Sequence, residues 1–165
     1  MLHPYIFLTA SFSLFVLSCL TGCSDEPELP EQQIRQIITI GEQSAEQRKI
    51  SALKELISEN YRDERNLDQK GILRLAQAYF MGHQNIHLFT HIKDIHITKP
   101  EQAHVTLFAA MTGTAVNSMD AFISLRARLY LFELSLIKEE GEWKLNQARW
   151  RRAQINEMLN DPSRD

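Results

Sequence analysis

The stretch LYLFELSLIKEEGEWKLNQARW, residues 129–150, contains two apolar runs joined by a short polar turn. The first run belongs to a longer alternating segment, residues 124–140, which predicts a β-strand. The sequence EGE at 140–142 is typical of a tight hairpin, because glycine accepts the positive φ that such turns require. Residues 142–153 then form a closing strand, so this stretch predicts an antiparallel β-hairpin.

Two further strands are predicted upstream of this hairpin. Residues 85–98 and 103–114 alternate between apolar and polar positions, and the turn KPEQ containing Pro100 separates them. Residues 116–122 read as a connector to the long strand. The second half of the chain is therefore predicted to be four antiparallel strands joined largely by short turns.

Apolar residues repeat every three or four positions in the first half of the chain, which is the helical period. Residues 34–57 predict one long helix, or two helices with a break near residues 44–47. A polar connector follows at 58–68, and a further helix is predicted at 68–83, with Asp68 as its N-cap and Gly82 near its end. Helices followed by strands predict an α+β domain.

The first 22 residues contain no Lys, Arg, Asp or Glu, and the apolar run within them is shorter than the roughly 20 residues of a membrane span. This fits a secretory signal peptide at 1–22. LTGC, residues 20–23, resembles the bacterial lipoprotein box, which implies lipidation of Cys23. The absence of Lys and Arg before the apolar run departs from that pattern, so an ordinary secretory signal or an uncleaved anchor remains the alternative.

The lipoprotein resemblance implies a location in the cell envelope, facing the periplasm and anchored by the lipid. Ser24 after the cysteine favours the outer membrane over the inner membrane. Residues 24–33 are acidic and contain two prolines, so residues 23–33 are expected to be the lipidated cysteine and a tether. No thiol would then remain for a disulfide, and one hydrophobic core must hold the domain.

The order of helices and strands resembles the nuclear transport factor 2-like superfamily, and most closely its uncharacterised proteobacterial envelope proteins. The similar residues are YRDE at 61–64, YFMGHQNI at 79–86, and the spaced Trp143 and Trp150. The resemblance covers residues 34–153 and implies N-terminal helices packed into a curved, mainly four-stranded antiparallel sheet, a cone-shaped and cystatin-like fold. Residues 154–165 would form a C-terminal tail, in which Ile155, Met158 and Leu159 could make a short amphipathic turn.

Superfamily members include isomerases, dehydratases, cyclases, transport factors and binding modules, so the resemblance does not give an activity. Acid–base chemistry in a pocket needs a proton-transfer group, and Asp63, Tyr79 and Tyr130 are the candidates. Asp63 stands in a run of alternating charges, which is more typical of a solvated surface or a local ion pair. A second acid could come from Asp94 or Glu133 on the predicted strands. Neither has flanking residues that indicate burial beside the other.

A metal site and a cofactor are not expected. His83, His87 and His91 repeat every four residues, but in a strand such residues lie about 13 Å apart, too far to share one metal ion. His96 and His104 could be cross-strand neighbours near the first turn. The negative net charge of −3 argues against a nucleic-acid partner.

Arginines and aromatic residues alternate along the last two predicted strands, a combination that suits an anionic group attached to an apolar body. Strict alternation places Arg126, Arg128, Tyr130 and Phe132 on one face of one strand, and Trp143, Leu145, Gln147, Arg149 and Arg151 on one face of the next. The ligand-binding candidates are therefore Arg126, Arg128, Arg149, Arg151 and Trp143. The alternative is that the arginines pair with acidic residues of the helical half.

These observations favour a lipid-anchored envelope domain that binds a small anionic or amphipathic ligand, or a protein partner, without catalysis. The first alternative is a small isomerase, dehydratase or hydrolase that uses a pocket carboxylate or histidine. The second is a homodimer or a component of an envelope complex, which predicts exposed apolar residues on the outer face of residues 125–137.

Overall fold

The computed structural model describes residues 29–113 and 128–161. Several sequence-based predictions lie outside these ranges: the signal peptide at 1–22, Cys23, the tether up to residue 28, the connector at 116–122, Arg126, and residues 162–165. Within the described ranges, none of the helices has the length and apolarity that a bilayer crossing demands.

Three helices open the described chain: α1 (Pro30–Glu46), α2 (Ile50–Glu55) and α3 (Gln69–Gly82). The expected break is confirmed, since Arg48 adopts a left-handed φ of 54° between α1 and α2. Helix α1 begins at a proline, a residue favoured in the first helical turn, so residues 30–33 belong to the helix and not to the tether. The Asp68 N-cap is confirmed: its carboxylate accepts the Gly71 N–H at 2.7 Å.

Four strands follow: β1 (His87–Lys99), β2 (Gln102–Thr112), β3 (Arg128–Glu139) and β4 (Glu142–Arg152). They form one antiparallel sheet in the order β1-β2-β3-β4, so the predicted α+β class is confirmed. The EGE turn is a two-residue hairpin with φ of 52° at Glu140 and 88° at Gly141. Positive φ at both positions is the type I′ geometry that suits the right-handed twist of the flanking strands.

The main core lies between α1 and one face of the sheet, which we call the inner face. Ile34 of α1 is fully buried there. Its partners are buried residues of three strands: Ala103, Val105, Leu107, Ala109, Leu136 and Trp143. The connector after α2 adds to the free edge of β4, because Ser58 N–H donates to the Leu145 carbonyl and the Leu145 N–H donates to Leu56. This pairing holds the helical half against the last strand.

A β-bulge at Asn146 interrupts the alternation of β4. Gln147 lies opposite Ser135 and Leu145 lies opposite Leu136, so Asn146 has no partner on β3. A bulge inserts one residue and reverses the side-chain faces beyond it. The predicted shared face is therefore wrong, since Trp143 and Leu145 point to the inner face whereas the following odd-numbered positions point away.

The opposite, outer face carries a second core beneath a short C-terminal helix, α4 (Ile155–Leu159). Met158 is fully buried there with Phe108, Ala110 and Leu129. The expected tail thus contains a packed amphipathic turn. Leu129 is buried and Leu131 packs against this cluster, so α4 covers two of the apolar side chains of residues 128–137 that the dimer hypothesis expected to be exposed.

Candidate functional site

One end of the inner face is polar. Thr90, Ala109, Tyr130 and Arg152 lie opposite one another across the four strands. Residues directly opposite in an antiparallel sheet point to the same face, and Ala109 belongs to the inner-face core. The row therefore brings a tyrosine and an arginine to the inner face beyond the packed region.

Beside this polar end lies a row of three half-buried rings, Tyr130, Phe132 and Trp150, which we call the aromatic row. The ring centroids of Tyr130 and Phe132 are 6.4 Å apart, and those of Phe132 and Trp150 are 6.0 Å apart at an interplanar angle of 24°. The Arg65 guanidinium lies 4.4 Å from the Trp150 ring centroid. The row offers apolar surface that the fold itself leaves partly uncovered.

Two arginines flank Tyr130 on this face. Arg152 lies directly opposite Tyr130, and Arg128 lies on the same side of β3 as Tyr130, as alternation predicts. Both arginines are exposed. Within residues 29–113 and 128–161, no carboxylate oxygen lies within 4.0 Å of either guanidinium.

The other predicted ligand-binding residues are placed elsewhere. Arg149 lies on the outer face and pairs with Glu64 and, at 3.5 Å, with Glu133. Arg149 thus pairs with an acid of the helical half, as the alternative predicted for it. Arg151 pairs at 2.7 Å with Glu157 of α4. Trp143 is buried in the core, and its Nε1–H donates to the Gln33 side-chain oxygen at 3.2 Å.

Tyr79 of α3 faces the same polar end. Burial raises the pKa of Tyr79, the nearby Tyr130 raises it further, and the Arg128 guanidinium opposes the rise. The Tyr79 ring stacks on His83 with centroids 4.0 Å apart. The structure thus brings together two of the three catalytic candidates, and the Tyr79 hydroxyl can donate a hydrogen bond at this end of the sheet.

Asp63 has a structural role in the connector. It is buried, and its carboxylate accepts the N–H groups of Arg65 at 2.8 Å and Leu67 at 2.9 Å. The Tyr61 hydroxyl donates to it at 3.4 Å, and the pKa of Tyr61 is raised, first by burial and then by Asp63. The expectation of a solvated position is wrong, and none of these contacts involves Tyr79 or Tyr130.

Two carboxylates of α1 escaped the sequence analysis. Glu42 accepts the Thr90 hydroxyl at 2.5 Å, and Glu46 accepts the Leu88 N–H at 2.9 Å. A signal was present, because Ile34, Ile38, Glu42 and Glu46 repeat every four residues on one helix face. That face changes from apolar to acidic in its last two turns, which indicates a polar interior at this end.

Two histidines of β1 lie near carboxylates: His91 Nε2 is 3.8 Å from Oδ2 of the buried Asp161, and His87 Nδ1 is 4.0 Å from Glu46 Oε1. His96 and His104 are opposite one another on β1 and β2, as expected. In the part of the chain that the structure describes, no three His, Cys, Asp or Glu side chains are placed to share a metal ion. An open groove of about 590 Å³ runs between α1 and β1, where Arg35 pairs with Glu31 at 2.8 Å.

Comparison with known proteins identifies the fold. No protein-family model and no curated protein sequence matches the chain. Among solved structures, Bdellovibrio bacteriovorus Bd1075 matches with a TM-score of 0.58 and 11% identity, over 75% of this chain but only 41% of its own. A nuclear transport factor 2-like protein of unknown function from Shewanella oneidensis MR-1 matches with a TM-score of 0.56 and 16% identity, over 74% of this chain and 98% of that one.

A candidate dehydratase of the same family from Streptomyces avermitilis matches with a TM-score of 0.61 and 13% identity, over 76% of this chain and 97% of that one. Other matching structures are described as cystatin-like. Identities at this level establish the architecture and leave the activity open. The described chain has the nuclear transport factor 2-like, cystatin-like fold.

Proposed function

We propose that the protein is a lipid-anchored module of the cell envelope that binds a small amphipathic ligand on its inner sheet face and does not transform it. One observation carries the ligand site: the aromatic row stays half-buried beside Arg128 and Arg152, which have no described carboxylate partner. The LTGC sequence supports lipidation of Cys23, and Ser24 supports sorting to the outer membrane.

Burial of apolar surface supports a ligand in this place. Each square ångström of apolar surface removed from water contributes about 25 cal/mol, so a ligand that covers the part of these half-buried rings still in water is bound favourably. Ligand sites in proteins are mostly apolar with a few convergent polar groups, which describes the aromatic row together with Tyr79 and the two arginines.

The absence of catalysis is supported by the state of the carboxylates. The carboxylate of Asp63 is engaged by the connector, and Glu42 and Glu46 each accept a hydrogen bond from β1. A general base must reach a substrate proton directly or through one water molecule. All three carboxylates are already engaged in hydrogen bonds within the fold.

Native mass spectrometry tests the binding function. Residues 24–165, which include every described residue, are secreted into the periplasm of a Gram-negative host, purified and then exposed to an organic extract of its envelope. We expect a discrete added mass on the wild-type chain and less of it on Phe132→Ala. Ile97→Ala is the control, since Ile97 is an exposed side chain of β1 opposite Ala103, whereas Tyr130 lies opposite Ala109 further along β2. A wild-type chain that carries no added mass overturns the proposal.

An acid–base enzyme is the second candidate, and Glu42 is the observation that favours it. Its carboxylate lies at the inner face beside Thr90, in the same cross-strand row as Tyr130. The Streptomyces avermitilis candidate dehydratase shares the fold. Conversion of a bound envelope compound by the wild type but not by Glu42→Gln would establish this function. Release of the ligand with unchanged mass and chromatographic retention would support the binding module.

A further inference from the structure

We propose that Arg128 and Arg152 together clamp a single anionic group, and that the site selects ligands carrying one carboxylate or phosphate on a planar apolar body. This inference rests on the proposed ligand site and adds its charge and orientation. Nothing in the fold comparisons assigns these two residues.

The sheet register brings the two arginines close together. Arg152 is opposite Tyr130, and Arg128 precedes Tyr130 by one full alternation of β3. Arg128 and Arg152 are therefore diagonal neighbours across β3 and β4, whose Cα atoms lie roughly 7–8 Å apart in an antiparallel sheet. Side chains as long as arginine converge on one anion from this separation, and the guanidinium fork matches carboxylate and phosphate oxygens.

Six of the nine arginines in the described ranges have no described carboxylate within 4.0 Å, and of these six only Arg128 and Arg152 lie on strands, as neighbours in the sheet. Arg35, Arg149 and Arg151 each form an ion pair with a glutamate. The chain is acidic overall, so carboxylates are not scarce. Two neighbouring positive charges without a described carboxylate repel each other, and an anionic ligand relieves that repulsion.

The rest of the inner face orients the ligand. Glu42 and Glu46 lie on the β1 side of the polar end, opposite to the arginine side. Like charges repel, so a second anionic group on that side is disfavoured. With its anion between Arg128 and Arg152, a ligand places its apolar body over Phe132 and Trp150, the other two rings of the aromatic row.

Isothermal titration calorimetry with matched probes tests the clamp. The probes are 2-naphthoate, 2-naphthyl phosphate and the neutral 2-naphthamide, titrated into residues 24–165. We expect an anionic probe to bind at least tenfold more tightly than the amide. Arg128→Gln and Arg152→Gln should each weaken the anionic probe by about tenfold, the effect of one charge-assisted contact, and leave the amide unchanged.

Arg149→Gln is the matched control, because Arg149 lies on β4 but points to the outer face. It should change the affinity of no probe. Whichever anionic probe binds more tightly distinguishes a carboxylate from a phosphate ligand. Equal binding of the anions and the amide, or anion binding that survives both inner-face substitutions, overturns the clamp and leaves the aromatic row as a binding site. Failure of every probe also overturns the clamp, while the envelope-extract experiment decides the proposed function separately.

Discussion

Two tryptophans of β4 illustrate how differently one residue type is used. Trp143 is buried in the main core with its indole N–H bonded to Gln33 of α1. Trp150 is half-buried, with one neighbour in Phe132 and another in the Arg65 guanidinium. Both point inward only because the bulge at Asn146 reverses the alternation between them. The first tryptophan is part of the core, and the second is the wall of the candidate site.

Alanine substitution should separate the two roles. Trp143→Ala should lower the free energy of unfolding by about 3–5 kcal/mol, the usual cost of removing a buried aromatic side chain. Trp150→Ala should cost about half as much, since part of its surface is already in water. Urea denaturation of both variants measures the difference. Equal losses of stability would mean that Trp150 is also a core residue. The aromatic row would then not offer exposed apolar surface to a ligand.

At the scale of elements, short turns and caps decide where each strand or helix stops. The β3–β4 hairpin needs positive φ at both turn residues, and the sequence supplies glycine at one position but glutamate at the other. A left-handed φ destabilises a residue that has a Cβ by roughly 1 kcal/mol or more, and asparagine tolerates this conformation better than most residues. The turn is thus specified by Gly141 and strained at Glu140.

Glu140→Asn should therefore stabilise the protein by about 0.5–1 kcal/mol, because Asn-Gly is the preferred type I′ pair. The measurement is the midpoint of thermal unfolding. Glu101→Asn is the control, since Glu101 occupies the β1–β2 turn without a positive φ. A gain in the control as large as that of Glu140→Asn would show that removal of negative charge, and not turn geometry, is responsible.

Helix α4 depends on its first turn. Glu157 accepts the backbone N–H of Gln154 at 2.7 Å and the Arg151 guanidinium at 2.7 Å, which ties α4 to β4. Hydrogen bonding to Arg151, followed by that to the Gln154 backbone, lowers the pKa of Glu157 from 4.5 to about 2. A carboxylate whose pKa is depressed in the folded state stabilises the fold above its ordinary pKa and loses that contribution as the pH falls.

The stability advantage of the wild type over Glu157→Gln should be constant above pH 4.5 and should shrink as the pH approaches 2. Thermal unfolding of both proteins across this range measures it. Glu59→Gln, at an exposed position of the connector, provides the comparison for a general effect of charge. A wild-type advantage that does not change with pH would mean that the carboxylate's charge does not hold α4 in place.

For the whole molecule, periodicity predicted the order of helices and strands, because both repeats can be recognised within short stretches of sequence. The shift from period four to period two near residue 85 and the EGE turn were sufficient for the α+β class. The site was less predictable, since it depends on register. Counting alternation from Trp143 assigned Arg149 and Arg151 to the same face as Trp143, whereas the bulge at Asn146 places Arg152 there. Bulges carry little sequence signal, because the connector that pairs with Asn146 is distant in the chain.

The buried position of Asp63 was unpredictable for a similar reason. Its partners are backbone N–H groups of a folded loop, which no charge pattern reveals. Glu42 and Glu46, by contrast, could have been found, since they continue the core-facing stripe of α1. A stripe that turns from apolar to acidic inside a helix is a usable signal of a polar cavity.

At the scale of the whole protein, the proposed membrane attachment rests on the sequence at 20–23, and a substitution tests it. Cys23→Ala should move the protein from the membrane fraction to the soluble fraction or leave it as an unprocessed precursor, because the thiol that accepts the lipid is gone. Cys19→Ala is the matched control, since that cysteine lies inside the apolar run, and it should remain with the membrane. Labelling with a radioactive fatty acid should mark the wild type and Cys19→Ala but not Cys23→Ala. Fatty-acid label on Cys23→Ala would contradict the assignment of the lipoprotein box. A wild-type protein that carries no label and is found in the soluble fraction would show that the apolar run is an ordinary secretory signal.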